Sequence, residues 1–168
     1  MKYFTIDQLS ALNEEQEKPA RFVVIGNPVK HSLSPQLHQP ALDDLGVDAS
    51  YLRVEVEEGK VAVAFQKLYE AGIRGINVTV PHKLEALEAC DFVDPAAQSM
   101  GAVNTIVFDQ EGKRTGFNTD GPGFARAIRE EFSVDLGDLK VIIIGAGGGA
   151  GRAIATQCVI ENCSQVIL

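Results

Sequence analysis

The sequence predicts an α/β protein with a mostly parallel sheet, followed by the first strand–helix–strand unit of a second α/β domain. Three observations support this fold class. Short β-branched runs alternate with segments of helical spacing, the polar stretch 133–138 divides the chain, and a glycine-rich turn occupies 145–151. Alternation of strands and helices is typical of parallel sheets, because a parallel connection needs a crossover helix.

The composition is that of a globular protein. With 45% hydrophobic and 23% charged residues over 168 positions, the chain can bury a core. A net charge of −8 argues against nucleic-acid binding, which needs clustered lysine and arginine. The three cysteines lack CxxC spacing, and no apolar segment resembles a secretion signal or a membrane span. We therefore expect a reduced, cytoplasmic protein without membrane contact.

The first half of the chain alternates strands and helices. Residues 1–20 are interpreted as an N-terminal extension with a short helix and a polar lead-in. Strands are predicted at 21–26, 51–56 and 75–80, and helices at 35–45 and 61–71. Leu37, Ala41 and Leu45 have the four-residue spacing of a helical face, and Pro40 predicts a kink or a separate first turn.

The second half continues this alternation. A helix is predicted from Pro81 to about Ala89, because proline suits the first position of a helix. Segments 102–108 and 113–117 bracket turn residues and are interpreted as a hairpin. A helix at 121–131, a strand at 140–144, a helix at 152–161 and a strand beginning at 165 complete the prediction.

Polar side chains cluster where strand 75–80 ends. Period-two alternation places Asn77 and Thr79 on one side of this strand, and Lys83 follows in the first turn of the next helix. A hydroxyl, an amide and an amine at the carboxyl end of a strand are suited to hold a polar small molecule. The alternative is that Thr79 is a plain strand residue and Lys83 a solvated one. The helix macrodipole disfavours a lysine at that position, which favours a functional role.

Ser32 and Ser34 lie in the loop before the first long helix. Two hydroxyls at this spacing can both donate to one carboxylate, assisted by the helix N-terminus. The alternative is that Ser34 is an ordinary N-cap. His31 and His38 are interpreted as loop and helix-surface residues. The histidines of this chain lack metal-ligand spacing, so no metal site is predicted.

Asn104 and Asp120 carry two further site hypotheses. Asn104 lies within an apolar strand stretch, so if buried it needs a partner, which is either a loop backbone or a ligand. Asp120 suits a helix N-terminus as a cap or first-turn carboxylate. The sharper hypothesis pairs Asp120 with Lys83 across a cleft, where the carboxylate would hold the amine against a substrate hydroxyl.

The glycine-rich turn between a strand and a helix predicts a dinucleotide-binding domain of the Rossmann type. Gly145, Gly147 and Ala150 fit the form G-x-G-x-x-G/A, with Gly151 as a second candidate for the last position. Backbone N–H groups of such a turn approach a pyrophosphate at the helix N-terminus. A complete domain needs several further strands, so we expect the chain to be a fragment of a longer protein. The predicted cofactor-binding residues are Gly145, Ala146, Gly147, Gly148, Gly149 and Ala150.

Five motifs in this order, SLSP, NVTVPHK, GAVNT, GFNTDG and GAGGGAGRA, resemble those of shikimate dehydrogenases over about residues 21–168. The resemblance implies reversible NADP-dependent reduction of 3-dehydroshikimate to shikimate in aromatic amino-acid biosynthesis, the chorismate pathway. It implies that Lys83 and Asp120 are the catalytic pair and that the glycine turn binds the NADP pyrophosphate. The implied substrate contacts are Ser32 and Ser34 to the carboxylate, and Thr79, Asn104 and Asp120 to ring hydroxyls, with Asn77 in support.

The resemblance also implies a domain organisation. It comprises an N-terminal extension at 1–20, a substrate-binding domain at 21–118, a linker helix at 119–135 and the start of an NADP-binding domain at 136–168. Two alternatives are an NAD-dependent quinate/shikimate dehydrogenase and a module that senses the metabolite without turnover. Because only the first unit of the second domain is present, we expect this chain alone to be inactive. Its uncovered strands favour self-association or a homodimer.

Overall fold

The structure is a computed structural model that describes residues 3–12, 14 and 16–168. The strands are β1 (Phe4–Thr5), β2 (Ala20–Gly26), β3 (Ser50–Glu55), β4 (Gly75–Val78), β5 (Phe92–Val93), β6 (Thr105–Phe108), β7 (Arg114–Phe117), β8 (Lys140–Ile142) and β9 (Gln165–Ile167). The helices are α1 (Ser34–Asp44), α2 (Val61–Glu70), α3 (Lys83–Glu88), α4 (Pro95–Met100), α5 (Asp120–Phe132) and α6 (Gly149–Ile160), with 3₁₀ turns at Leu9–Ala11 and Leu136–Asp138.

Seven strands form one sheet in the order β1-β3-β2-β4-β6-β7-β5. Strand β2 pairs in parallel with both β3 and β4, and β4 pairs with the antiparallel β6–β7 hairpin. The predicted mostly parallel α/β fold and its hairpin are confirmed. The parallel strands β2, β3 and β4 end at one edge of the sheet, so the loops that follow them lie close together.

Helix α2 covers the sheet with the residues whose spacing predicted it. Val61, Ala64, Phe65 and Leu68 are all buried in the main apolar cluster. Burying each of the larger side chains contributes about 1.5–3 kcal/mol. This stripe holds α2 against the strands and gives the sheet edge a rigid support.

Helix α1 forms as predicted but does not bury its apolar face. Leu37 and Leu45 are 71% and 76% exposed, and none of the fully described residues 34–44 is buried. The prediction that Pro40 separates the first turn is wrong, because α1 is continuous. The turns on either side of Pro40 keep their main-chain bonds, from Leu37 to Leu33 at 3.1 Å and from Leu45 to Ala41 at 3.1 Å.

The helix predicted from Pro81 begins at Lys83. Strand β4 ends at Val78, and a turn closed by the His82 N–H on the Thr79 carbonyl, 3.0 Å away, follows it. Pro81 lies in this turn, after a cis peptide bond with Val80, and His82 is the N-cap of α3. Lys83 therefore stands at the first position of α3.

Strand β5 and helix α4 were not predicted, and the element expected within 1–20 was predicted incorrectly. Asp94 caps α4 by accepting a hydrogen bond from the Ala96 N–H at 2.9 Å, and the two-residue strand β5 precedes this cap. The short helix expected within 1–20 is one 3₁₀ turn, and Phe4–Thr5 instead pairs with β3. Part of the expected polar lead-in, residues 13 and 15, lies outside the described residues.

The segment after α5 forms a separate parallel pair, β8–β9, connected by α6. Ala125, Leu136, Ile143 and Cys158 make a small apolar cluster between α5, α6 and these strands. This is the strand–helix–strand unit that the glycine-rich turn predicted. Among the described residues, no helix has the length and apolarity needed to cross a bilayer.

Candidate active site

The predicted Lys83–Asp120 pair is present. The Lys83 Nζ atom lies 2.5 Å from Asp120 Oδ2, and the two side chains are 13% and 25% exposed. Each residue is the first of its helix, α3 or α5. A carboxylate suits the positive end of a helix dipole and a lysine does not, so Asp120 stabilises the placement of Lys83.

Asn104 connects this pair to the sheet. Its Nδ2 group donates to Asp120 Oδ1 at 2.8 Å and to Thr119 Oγ1 at 3.0 Å. Its Oδ1 atom accepts from the Thr119 backbone N–H at 3.0 Å. Asn104 is 8% exposed, so these bonds satisfy a buried amide. The side chain thereby orients the Asp120 carboxylate towards Lys83.

Asn77 continues the network through two residues that sequence reasoning missed, Thr105 and Tyr51. Asn77 lies opposite Thr105 in the β4–β6 register and donates from Nδ2 to Thr105 Oγ1 at 3.2 Å. The Tyr51 hydroxyl donates to Asn77 Oδ1 at 2.6 Å. The GAVNT motif contained Thr105, but only the register shows which residue it faces. Tyr51 reads as a core aromatic, although a buried tyrosine hydroxyl normally needs a polar partner.

The two loop serines reach the same network. Ser32 Oγ donates to Ser34 Oγ at 3.1 Å, and the Ser34 hydroxyl lies near that of Tyr51. Burial raises the pKa of Tyr51 above its usual range, and the bond from Ser34 opposes that shift. Arg53 holds the loop through a 2.8 Å bond from its Nε to the Ser32 carbonyl. The N-cap of α1 is Leu33, so the alternative role of Ser34 as a helix cap is wrong.

Thr79 lies in the turn between β4 and Lys83. Its backbone N–H donates to the Ile25 carbonyl at 2.9 Å, and its methyl group lies over Gly26. A Cβ at Gly26 would be 2.6 Å from that methyl carbon, so a larger residue would displace Thr79. Gly26 therefore allows the chain to bring Thr79 close to the end of β2.

The glycine-rich turn has the geometry of an anion-binding loop. Helix α6 begins at Gly149 with Gly148 as its N-cap, and Gly145 has a positive φ of 90°. A Cβ at Gly147 would have no atom within 4 Å, whereas one at Gly151 would lie 2.3 Å from the Gly145 carbonyl oxygen. Gly151 thus fills the close-packing role that the last position of the motif requires. The open backbone and helix N-terminus fit a pyrophosphate.

The glycine turn and Lys83 lie against each other. A Cβ at Gly149 would lie 2.9 Å from Lys83 Cβ and 3.1 Å from Lys83 Cδ. A cavity of about 250 Å³ lies here between the turn that precedes α3 and the start of α6. Its lining residues are Val80, Pro81, Lys83, Leu84, Gly148, Gly149 and Ala150. A group bound at the glycine turn would therefore extend towards the lysine.

The described part of the chain contains no cluster of three or more histidine, cysteine, aspartate or glutamate residues placed to hold a metal ion. Among the described residues, the groups of this network are hydroxyls, amides, the Lys83 amine and the Asp120 carboxylate, and the Arg53 guanidinium bonds the serine loop. Such a set recognises a small molecule rich in hydroxyl groups and can move a proton at the Lys83 Nζ atom.

Comparisons with known proteins agree with this reading. Residues 24–106 match the family described as the shikimate dehydrogenase substrate binding domain. The "Shikimate dehydrogenase (NADP(+))" of Methanopyrus kandleri is 43% identical over 145 residues, which cover 86% of this chain and 49% of that protein. The chain spans about half the length of the curated relatives it matches.

Solved structures show the same similarity. Shikimate dehydrogenase from Aquifex aeolicus superposes with a TM-score of 0.82 at 36% identity, covering 90% of this chain and 55% of that one. The Thermus thermophilus enzyme, solved in complex with NADP(H) and shikimate, gives 0.79 at 40% identity, covering 88% and 55%.

Proposed function

We propose that the chain is a member of the shikimate dehydrogenase family and serves the reversible NADP-dependent reduction of 3-dehydroshikimate to shikimate. This oxidoreductase reaction is a step of aromatic amino-acid biosynthesis, and we assign it to the cytoplasm. One observation carries the proposal: Lys83 and Asp120, 2.5 Å apart, belong to a hydrogen-bonded network that extends to Tyr51, beside Ser34 of the serine loop. Within the chain we assign 1–20 as an extension, 21–118 to substrate, 119–135 as a linker helix and 136–168 to cofactor.

In this mechanism Lys83 moves the proton. Reduction of a ring ketone delivers a hydride to carbon and leaves negative charge on oxygen, and bound NADPH supplies that hydride. The Lys83 ammonium stabilises the developing alkoxide and protonates it, while Asp120 fixes the direction of the Nζ–H groups. In the oxidation direction, neutral Lys83 accepts the hydroxyl proton.

The serine loop and the strand ends hold the substrate. Ser32 and Ser34 bind the carboxylate, and Thr79, Asn104 and Asp120 contact the ring hydroxyls with Asn77 in support. The existing bond of 2.8 Å between Asn104 and Asp120 supports this assignment, because it arranges a donor and an acceptor side by side. A site of this kind strongly rejects analogues that lack a hydroxyl, since buried polar groups would lose their partners.

The cofactor assignment rests on the glycine turn, at Gly145, Ala146, Gly147, Gly148, Gly149 and Ala150, and on the NADP(+) in the names of the relatives. The residue that reads the ribose 2′ position follows the second strand of such a domain, so NAD is the alternative. The chain alone we expect to be inactive. The exposed Ile142 and Ile144, at 70% and 98%, favour self-association, including a homodimer. Concentration-dependent sedimentation would support this part, and a monodisperse monomer would contradict it.

A chimera tests the function. Residues 1–168 are joined to the C-terminal half of the Methanopyrus kandleri relative, and formation of the reduced cofactor is followed with shikimate or quinate as substrate and with NADP or NAD as cofactor. We expect turnover with shikimate and NADP. Tight shikimate binding without turnover would indicate the sensing module, and preference for quinate with NAD would indicate the quinate/shikimate alternative. Absence of shikimate binding to both the chimera and the 168-residue chain would overturn the proposal.

A further inference from the structure

The direction of the hydrogen bonds at the site can be deduced from its charged end. An ionised carboxylate only accepts, so Asn104 must present its Nδ2 group to Asp120, 2.8 Å away. The Thr119 backbone N–H only donates, and it faces Asn104 Oδ1 at 3.0 Å. Two groups of fixed character therefore set the Asn104 amide in one orientation.

The orientation of the Asn104 amide determines whether the Thr105 hydroxyl donates or accepts in each of its hydrogen bonds. Its hydroxyl lies 3.0 Å from Asn104 Oδ1, an acceptor, and so must donate its single hydrogen there. Thr105 Oγ1 then acts as an acceptor towards Asn77, whose Nδ2 lies 3.2 Å away. This turns the Asn77 carbonyl oxygen towards Tyr51, whose hydroxyl must donate across 2.6 Å.

Asn77 differs from Asn104 in what orients it. In the described structure, the hydrogen bonds of the Asn77 side chain run to two hydroxyls, those of Thr105 and Tyr51. Neither partner is a group that can only donate or only accept. A hydroxyl both donates and accepts. The orientation of the Asn77 amide therefore depends on two hydroxyls, and the donor and acceptor roles of these hydroxyls are set by Asp120 through Asn104. If the amide flipped, its oxygen would take the place of its N–H group.

We propose that the hydroxyls of Tyr51 and Thr105 are positioning groups that hold the Asn77 amide with an N–H, not a carbonyl, available to the substrate. This inference rests on the proposed function. An N–H group of Asn77 favours a substrate oxygen at that position, because an oxygen can accept its hydrogen bond. Tyr51 is 6% exposed and lies between the serine loop and β4, so it couples the carboxylate end of the pocket to the ring end. A substrate carboxylate that binds the Ser34 hydroxyl leaves the donor and acceptor roles set by Asp120 unchanged.

The first test uses the ligand-free chain. Side-chain amide resonances of ¹⁵N-labelled protein are compared for Tyr51→Phe, Thr105→Val and the control Tyr69→Phe, with the Asn77 signals identified by Asn77→Asp. Tyr69 is a matched control because its hydroxyl bonds the Gln110 carbonyl at 2.8 Å, outside the network. We expect Tyr51→Phe and Thr105→Val to shift or double the Asn77 signals and Tyr69→Phe to leave them in place. Unchanged Asn77 signals in Tyr51→Phe would overturn the proposal.

The second test measures shikimate affinity by calorimetry in a double-mutant cycle. Tyr51→Phe is expected to weaken binding about tenfold in the native background, the effect of one hydrogen bond, and to have no further effect when Asn77→Ala is already present. Thr105→Ser, which keeps the hydroxyl, should retain affinity that Thr105→Val loses. Equal effects of Tyr51→Phe in both backgrounds would show that Tyr51 does not act through Asn77.

The two tests separate this proposal from the function on which it rests. If the native chain does not bind shikimate, the proposed function fails, while the resonances of ligand-free Asn77 still decide whether Tyr51 and Thr105 orient it. If shikimate binds and the Asn77 resonances and coupling are absent, the function stands and the positioning role is wrong. Thermal unfolding of each variant, compared with Tyr69→Phe, checks that loss of binding does not reflect loss of the fold.

Discussion

The two halves of the proposed active site differ in how their groups are covered. On the sheet edge, Asn104 is 8% exposed and the Lys83 side chain 13%, and an unbroken chain of hydrogen bonds runs from Lys83 to Tyr51. On the β8–β9 unit, Ile144 is 98% exposed and Gly147 has open space where a Cβ would stand. The substrate half is preorganised by buried hydrogen bonds, whereas the cofactor half offers an open backbone.

This difference has a physical cause. Seven strands and α2 bury enough apolar surface to hold polar side chains in fixed rotamers, whereas two strands and one helix bury a small cluster. A preorganised site gains affinity because few groups lose freedom on binding. We therefore expect shikimate to bind the 168-residue chain without cofactor, and substitutions in the substrate half to have sharply different effects from those in the glycine turn.

The largest effect should come from Lys83. In the chimera, Lys83→Ala removes the group that transfers the proton, and turnover should fall by roughly 10²–10⁴-fold. Shikimate affinity should change much less, because the carboxylate and hydroxyl contacts remain. Steady-state kinetics with a separate calorimetric dissociation constant measure both. A change confined to the Michaelis constant would assign Lys83 to binding alone.

Ser32 should show the opposite division. Ser32→Ala removes a donor to the proposed substrate carboxylate, and hydrogen bonds to charged groups contribute about 1.5–3 kcal/mol. Shikimate affinity of the chain should therefore fall roughly 10–100-fold, with a much smaller change in the turnover of bound substrate in the chimera. The matched control is Ser99→Ala, whose hydroxyl bonds the Pro95 carbonyl in α4. If Ser32→Ala binds as tightly as Ser99→Ala, the serine loop does not belong to the site.

The sequence predicted the polar groups that lie together at the candidate site better than it predicted their surroundings. Lys83, Asp120, Asn77 and Asn104 stood in motifs whose spacing places them at strand ends. Tyr51 did not stand out, because a tyrosine in an apolar strand resembles a core residue until the neighbour of its hydroxyl is known.

Helical spacing likewise predicted the existence of helices but not what covers them. The apolar stripe of α2 is buried, whereas Leu37 and Leu45, in and just after α1, have helical spacing too and remain exposed. The spacing of apolar residues shows which face of a helix is apolar. It does not show whether another element packs against that face, which depends on the tertiary structure. The two-residue strand β5 was too short for any periodic signal, although the cap Asp94 and Pro95 indicated the start of α4.

Gly149 joins the two halves, and a methyl group there should disturb the substrate half from the cofactor side. In Gly149→Ala the new Cβ would stand 2.9 Å from Lys83 Cβ, near the fixed base of the side chain, so Lys83 must shift. We expect about a fivefold loss of shikimate affinity for the chain without cofactor, the cost of about one hydrogen bond. Gly147→Ala is the control, because its Cβ would enter open space. Equal shikimate affinity in both variants would mean that the glycine turn does not hold the lysine.

The smallest effect is expected at a second ion pair, Arg114–Asp91. Its contacts are nearly as close as those of Lys83–Asp120, but it lies outside the proposed site, so it shows whether close contact alone is enough. The Arg114 side chain donates two hydrogen bonds to the Asp91 carboxylate, from Nε at 2.7 Å and from Nη2 at 3.0 Å. Asp91 directly precedes β5 and Arg114 begins β7, so the pair links these strands. The bonds from the Arg114 side chain and backbone hold the pKa of Asp91 at about 2. Since the folded pKa is lowered, the pair stabilises the protein above the unfolded value of the carboxyl, and this contribution disappears as pH falls towards 2.

The Arg114 and Asp91 side chains are partly exposed to solvent. Ion pairs in such positions contribute about 0–1 kcal/mol to the free energy of unfolding, because water screens the two charges. Asp91→Asn should lower the free energy of unfolding at neutral pH by no more than that, reduce its slope between about pH 4 and pH 2, and leave shikimate affinity unchanged. Urea unfolding at several pH values measures the first two. Asp120→Asn, with equally close contacts but a buried partner network, should instead abolish most of the affinity. If both substitutions affected shikimate binding alike, the sheet edge would owe its selectivity to net charge and not to the preorganised network.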